Sequence, residues 1–151
     1  MLIHLVVLFA AILASSPASA QTTPADQAAL VQKAVVRALN FDQGDLARLR
    51  GARDGFTPEG WTQFMKHLGG WLDDKGAPTY TSSFVVSGEP RIVSQSDGVL
   101  QLTIPGTLKQ RQNNSTTTYP IVVEIRASGT PIKIEHLQQF ICGGPTATPC
   151  Q

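Results

Sequence analysis

The hydrophobic pattern of the chain changes its period at Pro78. Before this residue, apolar side chains recur every three or four positions, as they do on one face of a helix. After it, apolar and polar residues alternate and β-branched residues dominate, as they do in strands with one buried face. A chain with this order buries the apolar stripes of its helices against one face of a sheet. The pattern therefore predicts an α+β domain, with N-terminal helices packed on a curved antiparallel sheet of about four or five strands.

Three helices are predicted before the change of period. The first ends at Asn40, and the second is short and stops at Gly51. The third begins with Thr57 as its N-cap and Pro58 in its first turn, and we expect it to end near Leu72. The apolar stripe of the first helix consists of Ala28, Val31, Val35, Ala38 and Leu39. The stripe of the third, which is typical of a core, consists of Trp61, Phe64, Leu68, Trp71 and Leu72.

Turn signals divide the alternating half of the chain into strands. Asp97-Gly98 is the strongest of them and predicts a hairpin. Asn113-Asn114 and Gly129 mark two later turns. The strands are expected at about residues 82–87, 91–95, 100–104, 121–126 and 132–135.

The first 20 residues have the pattern of a cleavable secretory signal peptide. The uncharged apolar run from Leu5 to Ala14 is shorter than the roughly 20 residues that a membrane-spanning helix needs. The small residues Ala18-Ser19-Ala20 then form a signal peptidase site, so we expect cleavage after Ala20 and export to a bacterial periplasm. We therefore predict a signal peptide at residues 1–20 and a single periplasmic domain at residues 21–151. An uncleaved membrane anchor is the alternative to this interpretation.

The two cysteines of the chain, Cys142 and Cys150, lie close together near the C-terminus. An even number of cysteines in an exported chain favours a disulfide. The residues between them are rich in Gly and Pro, so this loop turns easily and can bring the two sulfur atoms together. We predict a bond between Cys142 and Cys150 that closes the C-terminal tail of the domain.

No group of residues in the sequence predicts a catalytic, cofactor or metal site. His4, His67 and His136 are isolated and lack the spacing of zinc ligands, and no hydrolase, metalloprotease or phosphate-loop motif is present. His136 has the same parity as Ile134, which predicts a histidine in or beside the core rather than a general base. The net charge of +1 gives no electrostatic reason to expect a nucleic acid as a partner.

Two short motifs in the helical half resemble those of a known family. Phe41-Asp42 is followed by the sequence FTPEGWTQF at residues 56–64. This combination is similar to the DotI/IcmL family of type IVB secretion components, which includes TraM-like conjugation proteins. In that family a comparable F-T-x-x-G-W-x-x-F helix start precedes a four-stranded sheet.

The resemblance implies a periplasmic domain with the nuclear-transport-factor-like fold. It also implies a non-enzymatic role in a secretion or conjugation assembly, with protein partners at the inner membrane, and it leaves open a homo-oligomer. It carries over no catalytic residues, no cofactor and no metal, and it assigns Phe56, Trp61 and Phe64 to the hydrophobic core. Members of the family have a transmembrane helix before this domain, whereas the present chain has a signal peptide pattern.

Two other functions use the same fold. In small-molecule enzymes and ligand-binding proteins of this kind, a cone-shaped pocket lies between the helices and the sheet. An open apolar cavity with converging polar groups would favour one of these functions. A cone that is filled by side chains would favour the scaffold.

Overall fold

A computed structural model of the protein describes residues 22–143. The predicted signal peptide at residues 1–20 and the second predicted disulfide partner, Cys150, lie outside these residues. Among residues 22–143, no helix is both long enough and apolar enough to cross a membrane.

The first helix, α1 (Pro24–Leu39), begins with a capping box. The Thr23 hydroxyl accepts a bond from the backbone N–H of Asp26, and the Asp26 carboxylate accepts one from the backbone N–H of Thr23. The additional bond from the Thr23 hydroxyl lowers the pKa of the Asp26 carboxyl. The buried residues of α1 confirm the predicted stripe and are Ala28, Val31, Val35, Ala38 and Leu39.

The next two helices are α2 (Leu46–Gly51) and α3 (Pro58–Leu68). A short 3₁₀ turn, Gly69–Trp71, follows α3, so the expectation that this helix continues to Leu72 is wrong. Two consecutive glycines follow Leu68, and glycine is a poor helix former. As a result Trp71 leaves the apolar stripe and is 50% exposed rather than part of the core.

Five antiparallel strands form one sheet, which confirms the predicted fold class. The order across the sheet is β1–β3–β4–β5, and β2 also pairs with β3. The first two strands share one edge of β3, because β1 pairs with its second half and β2 with its first half. The strands are β1 (Thr81–Val86), β2 (Arg91–Ser96), β3 (Val99–Gln112), β4 (Ser115–Ser128) and β5 (Lys133–Ile141).

The helices cover the inner face of the sheet, and side chains fill the space between the two layers. The strands contribute Leu100, Leu102 and Ile104 of β3, together with their cross-strand neighbours on β4. Packing at this face is close enough that a methyl group on Gly106 would overlap the ring of Phe84. The largest fully buried side chains are those of Leu39, Leu49, Leu100, Leu102, Ile104, Ile121, Ile134, Val31, Val35 and Val123. The cone of this fold is therefore a packed core.

Candidate functional site

A β-bulge in β5 determines which side chains reach the outer face of the sheet. Arg126 of β4 lies opposite His136, but the next residue, Ala127, lies opposite Ile134, so Glu135 is an extra residue in β5. The bulge reverses the alternation, and the buried residues of the strand are Ile134 and Leu137. The sequence prediction that His136 lies on the apolar face is therefore wrong. His136 is half-buried and lies beside the start of α3.

The side chains around this bulge form a connected polar group. His136 Nδ1 donates a hydrogen bond to the Gln63 side-chain oxygen of α3 at 3.1 Å. The Arg126 guanidinium forms an ion pair with the Glu135 carboxylate, with 2.9 Å between Nε and Oε2. The Ser128 hydroxyl donates to the other oxygen of that carboxylate. Each of these groups is thus held in place by a partner from another element or strand.

This polar group forms the floor of an open depression with a volume of about 560 Å³, which we call the bulge groove. A second depression of about 310 Å³ continues it across the outer face towards β2 and shares Arg126 and His136 with it. The ion pair in the groove is partly solvated, since the Arg126 side chain is 55% exposed, and it therefore contributes little to stability. The residues that line the bulge groove are Thr57, Glu59, Gln63, Arg126, Glu135 and His136.

Charged and polar side chains of the bulge groove are paired with side chains of neighbouring elements. The histidine is paired with Gln63, and the Glu135 carboxylate is paired with Arg126 and accepts a bond from the Ser128 hydroxyl. Within residues 22–143, no cluster of three or more His, Cys, Asp or Glu side chains could hold a metal ion. The groove presents these charged and hydrogen-bonding groups in fixed positions at the molecular surface.

The aromatic residues of the family-like motif hold α3 in position beside the groove. Phe56 and Phe64 are buried and their rings stack, with 5.3 Å between centroids. Trp61 is partly buried, and its ring centroid lies 5.5 Å from those of both phenylalanines. This cluster fixes the face of α3 that carries Gln63 into the groove.

The glycine of the same motif has a separate role. Gly60 lies so close to β5 that an added methyl group would overlap the carbonyl oxygen of Ile134. The backbone N–H of Thr57 donates to that same oxygen at 2.9 Å. The start of α3 is therefore bonded directly to the strand that carries the bulge.

A separate surface depression, the aromatic cleft, lies at the far end of the inner face of the sheet, beyond the part of β3 and β4 that the helices cover. It has a volume of about 470 Å³. Trp71 and Tyr80 meet edge to face at its side, with 5.6 Å between ring centroids. The cleft is lined by Trp71, Tyr80, Gln110, Gln112, Asn113, Asn114, Ser115, Thr117 and Tyr119.

The remaining residues named from the sequence lie apart from both depressions. Cys142 follows β5 directly, and its backbone N–H donates to the carbonyl oxygen of Pro120 at 2.8 Å. The bond between Cys142 and Cys150 stays a prediction, because Cys150 lies outside the described residues. His67 is exposed on α3, where its ring lies 3.0 Å from the backbone oxygen of Gln63.

The role of Gln63, Arg126 and Glu135 in the groove was not predicted from the sequence. They are ordinary surface residue types in the sequence and come together only through the bulge and the contact between α3 and β5. One signal was available in β5: its apolar residues Ile134 and Leu137 are three positions apart, which breaks the alternation expected of a regular strand.

The fold can be compared with solved structures. The periplasmic domain of DotI superposes with a TM-score of 0.68 at 17% sequence identity, and the match covers 82% of this chain and 99% of that one. The chain has the fold of the DotI periplasmic domain. The predicted resemblance to DotI is thereby confirmed in the three-dimensional structure.

Two further structures share this DotI-like fold. An IcmL-like type IV secretion system protein from Legionella pneumophila matches with a TM-score of 0.64 and 18% identity, over 84% of this chain and 96% of that one. CagV, a VirB8 homolog of the type IV secretion system of Helicobacter pylori, matches with a TM-score of 0.55 and 16% identity, over 75% and 98% of the two chains. No protein-family model and no curated protein sequence matches the chain significantly.

Proposed function

We propose that the protein is a non-enzymatic periplasmic component of a type IVB secretion or conjugation system, where it acts as a scaffold through contacts with other protein components. The observation that carries this proposal is the match to nearly the whole periplasmic domain of DotI. Two further secretion-system proteins with the same fold support it. The partners are expected at the inner membrane, and self-association is compatible with this role.

The packed interior favours the scaffold over the small-molecule functions of the same fold. An enzyme or a binding protein of this fold would hold its ligand between the helices and the sheet. Leu39, Leu49 and Ile104 occupy this space together with the other fully buried side chains. His136, which the sequence predicted in or beside the core, faces the bulge groove instead.

The bulge groove is the surface that we assign to a protein partner. It combines a fixed guanidinium, carboxylates, an imidazole and an amide, so it can distinguish a complementary polar surface from others. Its walls come from α3 and from two strands, which is the rigid support that a specific interface requires.

A complementation experiment tests the proposal. The gene is deleted from its natural host, and conjugative transfer and protein secretion are measured before and after complementation with the wild-type gene. We expect deletion to abolish one of these activities and the wild-type gene to restore it. An Arg126→Glu variant, which reverses a charge in the groove, should restore it at least about tenfold less well. If deletion leaves both activities unchanged, the proposed function is wrong.

The matched control is a Lys109→Glu variant. Lys109 is exposed on the same outer face but does not line the bulge groove, so its charge reversal should complement fully. Immunoblots establish that the variants accumulate to the same level. A photo-crosslinking residue at position 63 should capture a secretion-system protein, whereas the same residue at position 109 should not.

A further inference from the structure

The aromatic cleft shares no residue with the bulge groove and has a different chemistry. It lies on the continuation of the inner face, where the residues of β3 and β4 are no longer apolar. Gln110 and Gln112 follow the buried Leu108 on β3, and Thr117 follows Tyr119 towards the hairpin turn on β4. No Asp, Glu, Lys, Arg or His side chain is among the residues that line the cleft.

Trp71 is half exposed, yet its backbone is firmly held. Both the backbone N–H and the hydroxyl of Thr79 donate to the carbonyl oxygen of Trp71, at 2.9 and 2.8 Å. Asp73 closes the loop between these two residues: its backbone N–H donates to the carbonyl oxygen of Ala77, and its carboxylate accepts a bond from the backbone N–H of Ala77. An exposed indole on such a support offers a ring face to a ligand at a low cost in conformational entropy.

The wall behind the indole is equally fixed. The Tyr80 ring packs between Trp71 and Phe41, with centroid distances of 5.6 and 5.2 Å. The side chain of Gln110 lies beside the Tyr80 hydroxyl and partly offsets the effect of burial on its pKa. Burial raises the pKa of Tyr80 to about 12, so the phenol remains neutral at every physiological pH.

The composition of the cleft defines the chemistry of a suitable ligand. Uncharged walls discriminate against ions, because the desolvation of a charged ligand would have no opposite charge to offset it. Side-chain amides and hydroxyls can both donate and accept hydrogen bonds, so they can bind the hydroxyl or acetamido groups of a ligand. The faces of aromatic rings carry negative partial charge and attract the weakly positive axial C–H groups of a saturated ring. Sugars combine these properties.

We propose that the aromatic cleft binds a neutral oligosaccharide of β-linked pyranose rings, with one ring stacked on Trp71 and neighbouring hydroxyl or acetamido groups bonded to Gln110, Gln112 and Thr117. The floor of the cleft is a two-stranded ribbon of β3 and β4, along which an extended chain of equatorially linked rings can lie. This binding activity is additional to the scaffold role and is independent of it.

An extended peptide is less well suited to this position. Peptides that add to a sheet require a strand edge with unpaired backbone groups. The cleft is instead built from the side chains on one face of β3 and β4, which pair with each other up to Gln112 and Ser115.

Titration calorimetry of the purified full-length chain tests the inference, with the β-1,4-linked hexamers of N-acetylglucosamine and of glucose as probes. We expect one or both hexamers to bind, and Trp71→Ala to raise the dissociation constant by at least about tenfold. Leu30→Ala is the matched control, because Leu30 is 51% exposed, as Trp71 is, but lies on α1. It should leave the dissociation constant unchanged.

A second variant, Gln112→Ala, removes one amide from an exposed position and keeps the indole. It should weaken binding while thermal unfolding stays at the wild-type temperature. The inference is overturned if neither hexamer binds at millimolar concentration, if Trp71→Ala binds as tightly as wild type, or if an uncharged hexapeptide competes for the cleft more tightly than both sugars. None of these results bears on secretion in the deletion strain, so the two proposals can fail separately.

Discussion

At the scale of the residue, Gly60 shows how one missing side chain decides a contact between elements. The glycine allows the first turn of α3 to touch the carbonyl oxygens of Ile134 and Glu135. Composition and periodicity cannot reveal this role, because a glycine in a helix is by itself only an unfavourable residue. The contact depends on a strand more than 70 positions further along the chain, at Ile134.

We predict that Gly60→Ala destabilises the protein by about 1–3 kcal/mol, because the added methyl group forces α3 away from β5. Urea unfolding followed by circular dichroism measures the loss. Gly69→Ala is the control, since nothing lies within 4 Å of a methyl group there and the backbone is already helical. A Gly60→Ala protein as stable as the control would show that α3 does not pack tightly on β5.

The buried Tyr80 predicts a specific loss of stability in alkali. Folding raises the pKa of its hydroxyl from 10.0 to about 12, so the neutral phenol stabilises the folded state fully below pH 10. This contribution is lost as the pH rises from 10 to 12. We expect the free energy of unfolding of wild type to fall more steeply over this interval than that of Tyr80→Phe. Parallel slopes in urea titrations of the two proteins would contradict the prediction.

At the scale of the element, the start of α3 depends on its N-cap. The Thr57 hydroxyl accepts a bond from the backbone N–H of Gly60 at 3.1 Å. Thr57→Ala should therefore destabilise the protein by about 1 kcal/mol. Thr62→Ala removes a hydroxyl from the same helix that bonds only to the carbonyl oxygen of Pro58 and is exposed, so its effect should stay within about 0.5 kcal/mol. Thermal and urea unfolding of both variants check the difference.

Helices and turns of this chain could be predicted closely, whereas strand lengths could not. The five-residue stripe of α1 and the Asp97-Gly98 turn contain their own signals, and both are confirmed. Pro105 and Gly106 suggest the end of a strand, yet β3 runs through both of them and is 14 residues long. Proline has no backbone N–H, but Pro105 lies between the part of β3 that pairs with β1 and the part that pairs with β2, so no strand needs a bond from its nitrogen. Its carbonyl oxygen points to the same side and accepts a bond from the backbone N–H of Ser87.

The bulge in β5 could not be located from the local sequence pattern, because it is defined by pairing with another strand. Glu135 is an ordinary strand residue in the sequence, and only the pairing with β4 shows that it is extra. Strict alternation therefore placed His136 on the wrong face. The bulge groove, which is the candidate partner surface, depends on this one irregular position, of which the spacing of Ile134 and Leu137 is the trace in the sequence.

At the scale of the whole molecule, the order of helices and strands was enough to predict the fold class. One change of period at Pro78 separates α1–α3 from the five strands, and this order leaves few ways to cover one face of a sheet. Function was harder to predict from the sequence. The filled space between helices and sheet, the bulge groove and the aromatic cleft form only when distant parts of the chain come together in the folded protein.

The predicted disulfide should stabilise the domain as a whole. Cys142 follows the edge strand β5, so a bond to Cys150 would tie the tail to the sheet. We expect Cys142→Ser and Cys150→Ser each to lower the free energy of unfolding by about 2.5 kcal/mol, because each removes the same small closed loop. Reductant should destabilise wild type equally and leave both variants unchanged. An intact mass equal to that of the fully reduced chain would contradict the bond.

The predicted signal peptide defines the expected first residue of the mature protein. If the first 20 residues are a signal peptide, N-terminal sequencing of protein recovered from the periplasm should begin at Gln21. Ala20→Lys, which places a large charged residue at the cleavage site, should yield a longer, membrane-associated form. Recovery of a wild-type chain that begins at Met1 would favour the uncleaved anchor.

The unequal exposure of the two tryptophans gives the molecule a built-in optical reporter. Trp61 is partly buried against Phe56 and Phe64, whereas Trp71 is half exposed beside the aromatic cleft. In a Trp71→Phe protein, only Trp61 fluoresces, so a change in emission reports loosening of the interior. In a Trp61→Phe protein, only Trp71 fluoresces, so protection from acrylamide quenching reports a molecule that covers the surface. One chain can thus report separately on its own integrity and on the arrival of a neighbour.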